Sequence, residues 1–381
     1  MLLTLALVIT VVVLVVVGVL LVGKNKDVRG LLGFHTAPST IYHDGPYITY
    51  LGEQMLVHRG ETYEGKPVVL RDELPFSERQ ALAFSCYTDS AIPTSFEFTL
   101  RKNLNIPPVE YDLPERLLAV SDIEGNFYAF QQLLVGNGVI DEDFNWTFGE
   151  GHLVLLGDLF DRDINVLPCL WLIYKLEQEA AAQGGWVHFI LGNHEEMNLR
   201  GDERHLEEKY PWLARELGVN YYELFSNYSE LGQWIRTKNS VEKIGNTLFV
   251  HGGISYLVED SKLTLRQINR TVRRYIGMAE VDQEGELLMG NNGPLWYRGY
   301  FGGNITQRHI ERVLQTYQAE QMVVGHTVVP DIVSLFEGRL YAIDVQQPTR
   351  ASPGMARALW VEQGTFHVTD QQGQRQAVAA R

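Results

Sequence analysis

Five short motifs join metal-ligating residue types to glycine, and they stand in one order along the chain: Ser121-Asp122-Ile123-Glu124-Gly125-Asn126, Gly157-Asp158-Leu159-Phe160-Asp161-Arg162, Gly192-Asn193-His194-Glu195, His251-Gly252-Gly253 and Gly325-His326-Thr327. A phosphoester resists attack because its oxygens are anionic. Two metal ions about 3.5–4 Å apart overcome this by binding the phosphate and activating a water together. Such a pair needs a bridging carboxylate and a mixture of carboxylate, amide and imidazole ligands. Asp122, Asp158, Asn193, His251 and His326 make up that mixture, with Asp158 as the natural bridge. The neighbouring glycines allow the tight turns and close backbone approach that a ligand shell requires.

Each residue also has an ordinary explanation. Asp122 could cap a helix starting near Asn126, His251 could be a satisfied strand-end histidine, and Arg162 could be a surface ion-pair partner. The five motifs weigh against that in combination, because each follows a short apolar run. These runs, at 116–120, 152–156, 186–191, 246–250 and 321–324, read as buried strands. Ligands at the ends of neighbouring strands converge on one point although they are far apart in sequence, and open α/β sheets bind ligands at that edge. Helical stretches are expected at 126–134, 165–183, 263–276 and 307–318, with Pro168 in the first turn of the second. After Pro330 the pattern changes to short strands at 332–336, 339–344, 356–362 and 365–369. Composition and spacing alone reach an α/β fold with a strand-end metal site.

The order of motifs resembles the calcineurin-like metallophosphoesterase superfamily over 117–345. That family's pattern is Asp-x-His, Gly-Asp-x-x-Asp-Arg, Gly-Asn-His-Glu/Asp, a later His, then Gly-His. The Gly-Asp-x-x-Asp-Arg and His-Gly-Gly forms are similar to the phosphoprotein phosphatase branch. Within it, Gly192-Asn193-His194-Glu195-Glu196-Met197-Asn198-Leu199 and Gly293-Pro294-Leu295-Trp296-Tyr297-Arg298-Gly299 resemble the bacterial Shewanella-like phosphatases. The resemblance implies a four-layer αββα sandwich of two mixed sheets with helices outside. It implies two divalent metal ions, one held by Asp122 and Asp158, the other by Asp158, Asn193, His251 and His326. It makes His194 the general acid for the leaving alkoxide, held by Asp161, a pairing that raises an imidazole's pKa and sets its tautomer. It places Arg162 and Arg298 on the phosphate oxygens, where guanidinium binds in bidentate fashion, with Asn193 touching the phosphate as well.

The first motif departs from the pattern: Glu124 stands where the family has His. As a ligand, a carboxylate there tilts the site toward Mn²⁺ or Mg²⁺ and away from softer metals such as Fe or Zn. Asp163 replaces the glycine usual after Asp-Arg, adding an acid near the phosphate site. Asp344-Val345-Gln346 lacks a glycine often found in the last loop. The implied activity is phosphomonoester hydrolysis by in-line attack of a metal-bridging hydroxide, on protein substrates. The alternatives are a nucleotide or dinucleotide polyphosphate hydrolase, and a non-catalytic module that binds a phosphorylated ligand. Retention of His194, Asp161 and Arg162 weighs against the last, because a pure binder needs no general acid.

The remaining features set the frame. The chain has 381 residues and a formal net charge of −15, which argues against nucleic acid as a partner. The two cysteines, Cys86 and Cys169, form no framework. Residues 2–23 are uncharged and apolar, long enough for an uncleaved membrane anchor. Lys24, Lys26 and Arg29 follow directly, which puts the catalytic domain on the cytoplasmic side. A linker is expected over 24–40, a β-rich extension over 41–112, the catalytic domain over 113–370, and a flexible polar tail over 371–381. The aromatic-rich stretch with Trp212, Tyr221, Tyr222, Phe225, Tyr228 and Trp234 is expected to pack an inserted helical segment rather than wall the cleft.

Overall fold

The computed structural model describes residues 41–303, 305–349, 352 and 354–381. The membrane helix expected over 2–23 and the linker over 24–40 lie outside the described residues. Among the described residues no helix is long and apolar enough to cross a membrane.

Residues 41–112 begin with β1 (His43–Leu51), β2 (Gln54–Tyr63) and β3 (Lys66–Pro75), which form a three-stranded antiparallel sheet. Glu64 and Gly65, both at positive φ, make the two-residue turn between β2 and β3. Gly45-Pro46, a dipeptide of the kind that usually marks a turn, lies inside β1. The pairing slips between Asp44 and Tyr47, and a bulge is where a strand tolerates proline. β4 (Ala83–Tyr87) and β5 (Ser95–Thr99) form a separate hairpin, and β6 (Glu110–Tyr111) is a short edge strand.

Strand and helix then alternate. β7 (Arg116–Val120) leads to α1 (Phe127–Gly136), capped by the Asn126 side chain on the Ala129 N–H. β8 (His152–Leu155) leads to α2 (Val166–Ala182), and β9 (Trp186–Phe189) to α3 (Asn193–Arg200). The helices α4 (Lys209–Glu216) and α5 (Glu230–Ile235) follow, then β10 (Val241–Ile244) and β11 (Thr247–Val250). Next come α6 (Tyr256–Asp260), α7 (Leu265–Tyr275), α8 (Gln283–Met289) and α9 (Gln307–Thr316). The last strands are β12 (Gln321–Val324), β13 (Val333–Leu335), β14 (Leu340–Ala342), β15 (Arg357–Glu362), β16 (Thr365–Asp370), β17 (Arg375–Ala377) and β18 (Ala379–Ala380).

Two mixed sheets result, in the orders β17-β16-β15-β7-β8-β9 and β18-β13-β14-β12-β11-β10-β6. Tyr341 of one stacks on Phe366 of the other at 4.2 Å between ring centroids, so their inner faces meet. α2 packs on β9 of the first sheet with α1 beside it, and α7 packs on β10 of the second. The first eleven residues of α2, Val166–Leu176, are all buried, and up to Tyr174 they are apolar on every side, because this part of the helix is covered on both sides. Its outer side is covered by the β-rich region: Phe98 stacks on Trp171 at 4.2 Å, and the Trp171 indole donates to the Pro46 carbonyl. Residues 41–381 thus form one compact unit.

Residues 371–381, expected as a flexible tail, instead supply an edge strand to each sheet: β17 pairs with β16, and β18 with β13. Their composition carries no strand signal because these backbones are held by hydrogen bonds to an existing edge, not by burial of their own side chains.

Candidate active site

The two sheets present their parallel strands in matching register. Val120, Leu155 and Phe189 are partners across β7, β8 and β9, and Val250, Val324 and Ala342 across β11, β12 and β14. The six loops that follow therefore start at one level. They carry Asp122, Asp158, Asn193, His251, His326 and Asp344. The turns are tight enough that Asp122, Glu124, Asp158, Asp161, Arg162 and His326 all lie at φ between 48° and 74°. This left-handed region costs a non-glycine residue about 1–3 kcal/mol, and such strain collects at functional sites.

Two glycines show how close these loops come. A Cβ on Gly157 would sit 2.4 Å from the backbone nitrogen of Gly192, and one on Gly325 would sit 2.7 Å from Asp122 Oδ2. The buried Glu195 ties the second and third loops together, accepting the N–H groups of Asp158, Leu159 and Gly192 at 2.7–2.9 Å.

The two motif histidines face each other with committed tautomers. His251 Nδ1 donates to the Leu156 carbonyl at 2.5 Å, and His326 Nε2 donates to the Trp296 carbonyl at 3.1 Å. Those assignments follow from the partners. The remaining nitrogens, His251 Nε2 and His326 Nδ1, lie 3.1 Å apart. His251 Nε2 is also 3.1 Å from Asp158 Oδ2 and 3.0 Å from Asn193 Oδ1. Four acceptor atoms converge with no donor of their own among them. Arg298 Nη2 reaches His326 Nδ1 at 3.3 Å; a cation at the centre would satisfy all four atoms together, and a backbone carbonyl behind each imidazole is the support that metal-binding histidines use. Without metal a proton takes the place. Burial would lower the His251 pKa, but Asp158 outweighs it and holds it at about 10, while burial and the charge on His251 push His326 down to about 3.

Beside this set four carboxylates crowd together. Burial raises Asp122 well above its ordinary value, with Asp344 adding to the effect. Burial, with Asp158 and Asp344, pushes Glu124 up to about 8 although Arg162 Nε lies 3.0 Å from its Oε1. Burial and Asp158 push Asp344 up to about 6. Asp158 alone moves down, because His251 and His194 outweigh its burial. The donor set and the surplus of negative charge fit two divalent cations. Glu124, Asp158 and His194 make a second close group, distinct from the group of Asp158, His251 and His326. Asp122 belongs to neither; its Oδ2 accepts the Ser121 hydroxyl and the His326 N–H.

His194 stands at the cleft side. Its Nδ1 donates to Asp161 Oδ2 at 2.5 Å, which leaves Nε2 pointing into the cleft, 3.8 Å from both Glu124 and Asp158. Burial would lower its pKa, but Asp158 and Asp161 hold it at about 8. Asp161 is itself held by the Asn198 amide at 3.0 Å. The cleft has a volume of about 480 Å³, and Arg162 and Arg298, both exposed, are part of its lining. Arg298 Nη1 donates to Thr327 Oγ1 and to the His326 carbonyl.

Three participants escaped the sequence reading. Asp344 could have been found as the acid that ends a strand beside β12. Asn198 sits four residues after His194 and so on the same helix face. Glu195 is the N3 residue of a helix whose N-cap is Gly192, where a glutamate bonds back to the N-cap N–H. Within the aromatic stretch Trp212, Tyr221, Phe225 and Trp234 are buried in packing, and none of its six aromatics lines the cleft.

Comparison with known proteins matches this arrangement. A family model described as calcineurin-like phosphoesterase covers residues 115–330. Shewanella-like protein phosphatase 1 of Plasmodium berghei (strain Anka) is 29% identical over 226 residues, 56% of this chain and 62% of that protein. The chain thus spans less than two thirds of that relative's length. Shewanella-like protein phosphatase 2 of Arabidopsis thaliana is 25% identical over 305 residues, 65% of this chain and 75% of that protein. Among solved structures, the cold-active protein-tyrosine phosphatase of a psychrophile Shewanella species superposes with a TM-score of 0.76 at 30% identity, covering 88% of this chain and 99% of that one.

Proposed function

The chain belongs to the calcineurin-like phosphoesterase family, and from that premise we propose that it removes phosphate from phosphorylated protein side chains. The observation that carries this reading is the His194–Asp161–Asn198 chain set beside a converging group of acceptors. The first feature supplies a proton and the second calls for cations. The family is binuclear and metal-dependent, and two divalent ions would neutralise the phosphate and supply a nucleophile at neutral pH. Asp158, Asn193, His251 and His326 would hold one ion, and Asp122 and Asp158, with Glu124 in place of a histidine, the other. A carboxylate at Glu124 favours Mn²⁺, with Mg²⁺, Fe or Zn as the competing occupants.

The protein's own side chains do the rest. Arg162 and Arg298, both in the lining of the cleft, grip the phosphate oxygens. His194 delivers the proton on Nε2 to the departing oxygen. Asp161 keeps the other ring nitrogen protonated and so aims Nε2 at the cleft. Relatives named as protein phosphatases, one of them a protein-tyrosine phosphatase, favour phosphotyrosine, phosphoserine or phosphothreonine proteins over nucleotides. Residues 2–23 would tether this activity to a membrane, with residues 41–381 on the cytoplasmic side.

The test is phosphate release from p-nitrophenyl phosphate and from phosphopeptides by metal-stripped protein titrated with Mn²⁺, Mg²⁺, Fe²⁺ and Zn²⁺. Turnover should appear with metal, most readily with Mn²⁺, and vanish in Asp158→Asn. Metal-independent turnover, or turnover confined to nucleotides, would overturn the reading.

A further inference from the structure

The phosphate cleft does not end at the arginines. A second cavity of about 340 Å³ adjoins it, and the two share Asn126, Asp163 and Thr349 in their walls. A substrate whose phosphate lies between Arg162 and Arg298 would therefore have this cavity open to its neighbouring side chain. The exposed Ile164 and the half-buried Tyr128 give the cavity apolar surface.

Its charge is set by one residue. Asp163 Oδ1 accepts the N–H of Ile164 at 2.6 Å, and no described cation lies within ion-pair distance of its carboxylate. Its backbone N–H bonds the carbonyls of Glu124 and Asp161 at 3.1 and 2.7 Å, so the loop that carries Asp161 and Arg162 fixes its place. The other acid of the cavity, Asp89, is neutralised: Lys209 Nζ lies 3.0 Å away, and the N–H groups of Tyr42 and His43 bond it as well. Lys209 in turn is committed to Asp89 and Asp44.

Two helix N-termini also open here, and they would favour an anion. Their free donors are few, however. The Asn126 side chain caps the Ala129 N–H of α1, the Tyr210 hydroxyl accepts the Val166 N–H of α2, and Pro168 has no N–H to offer. Among the described residues of this wall, Asp163 carries the one full charge not neutralised by an ion pair, against partial charges of about half a unit at each N-terminus. A long basic side chain matches the cavity at both levels, with its methylene stem on Ile164 and Tyr128 and its charged head on Asp163.

We infer that this cavity is a specificity subsite for a lysine or arginine flanking the phosphorylated residue, with Asp163 as the residue that selects it. This rests on the protein-phosphatase reading above. The experiment compares kcat/KM of the full-length, Mn²⁺-loaded enzyme on two phosphotyrosine peptides that differ only in having Arg or Ala at the flanking positions. The ratio is independent of how much of a preparation is folded. The native enzyme should prefer the Arg peptide by about 3–5-fold at low salt, as expected of one partly exposed ion pair, and less at high salt. Asp163→Asn should bring the ratio near one, and Asp163→Glu should restore part of it. A native ratio of one or below, or a ratio unchanged in Asp163→Asn, overturns the subsite while leaving the phosphatase reading intact. Turnover of p-nitrophenyl phosphate with neither peptide cleaved would instead sink the protein-phosphatase reading and the subsite with it.

Discussion

At the scale of single residues, His194 and Asp158 have separable tasks although they touch. The His194 N–H donates to Asp158 Oδ1 at 2.8 Å through the backbone, so replacing the imidazole leaves that bond in place. His194→Ala should therefore cut kcat by about 10²–10⁴-fold, the span of a lost general acid, with metal content by atomic absorption nearly unchanged. Loss of metal in that variant would show that the imidazole ligates instead. Glu124 poses the complementary question. It pairs with Arg162 and lies 3.8 Å from His194, so Glu124→His should raise the affinity for softer metals and release Arg162 from its partner. Metal titrations that leave preference and affinity unmoved would mean that Glu124 serves Arg162 alone.

At the scale of elements, the two sheets are stitched along one edge of each. His188 on β9 bonds Glu242 on β10 at 2.6 Å and His152 on β8 at 3.0 Å, all three buried, with the Tyr111 ring of β6 packed edge-on against His188 at 4.5 Å. Burial, and then His188, lower the His152 pKa from 6.5 to about 3. Between those values the unfolded chain binds a proton that the native state does not, so stability rises with pH across this window and is lost on acidification. The slope is at most about 1.4 kcal/mol per pH unit. Urea midpoints measured from pH 7 to 4 should fall more steeply for the native protein than for His152→Gln; parallel curves would refute the assignment. The C-terminal strands make a second case. Deleting 371–381 uncovers the edges of β16 and β13 and removes the Gln371 side chain that accepts the Ala356 N–H. The truncated chain should melt lower and aggregate more readily, as exposed sheet edges do, and static light scattering through a melt would show it.

At the scale of the whole molecule, the site is built where its own charges oppose folding. Asp122, Glu124, Asp158 and Asp344 meet inside a chain whose net charge is already −15. Divalent cations bound there stabilise the native state by mass action, about 4 kcal/mol when free metal exceeds the dissociation constant a thousandfold. Chelation should lower the Tm by several degrees, Mn²⁺ should restore it, and Asp158→Asn should respond to neither; a Tm indifferent to chelator in the native protein would argue that no ion contributes.

How much of this was legible in the chain depends on whether the signal is local. The motif strands β7, β8, β9, β11 and β12 are short apolar runs ended by glycine-flanked ligands, and such a pattern needs no knowledge of its neighbours. The same holds for the first half of α2, where the apolar run Val166–Tyr174 marks burial on every side. β1, β2 and β4 were not legible, because their strand character rests on pairing and on covering α2 rather than on clean alternation. Nor was the pairing of β17 and β18, which are polar strands added to edges. In the site, residue types and order named Asp122, Asp158, Asn193, His251 and His326, and the family resemblance added His194. Which nitrogen of each histidine faces the metal set was decided by the Leu156 and Trp296 carbonyls, and those come from distant segments. The place of Asp344 was decided by the parallel pairing of β14 with β12. The side to which Glu124 turns was decided by Arg162, since that contact exists only once two left-handed loops are folded against each other. Chemistry written as residue identity is local and survives in the sequence. Chemistry written as orientation arises only when several strand ends share one level, and that belongs to the tertiary structure.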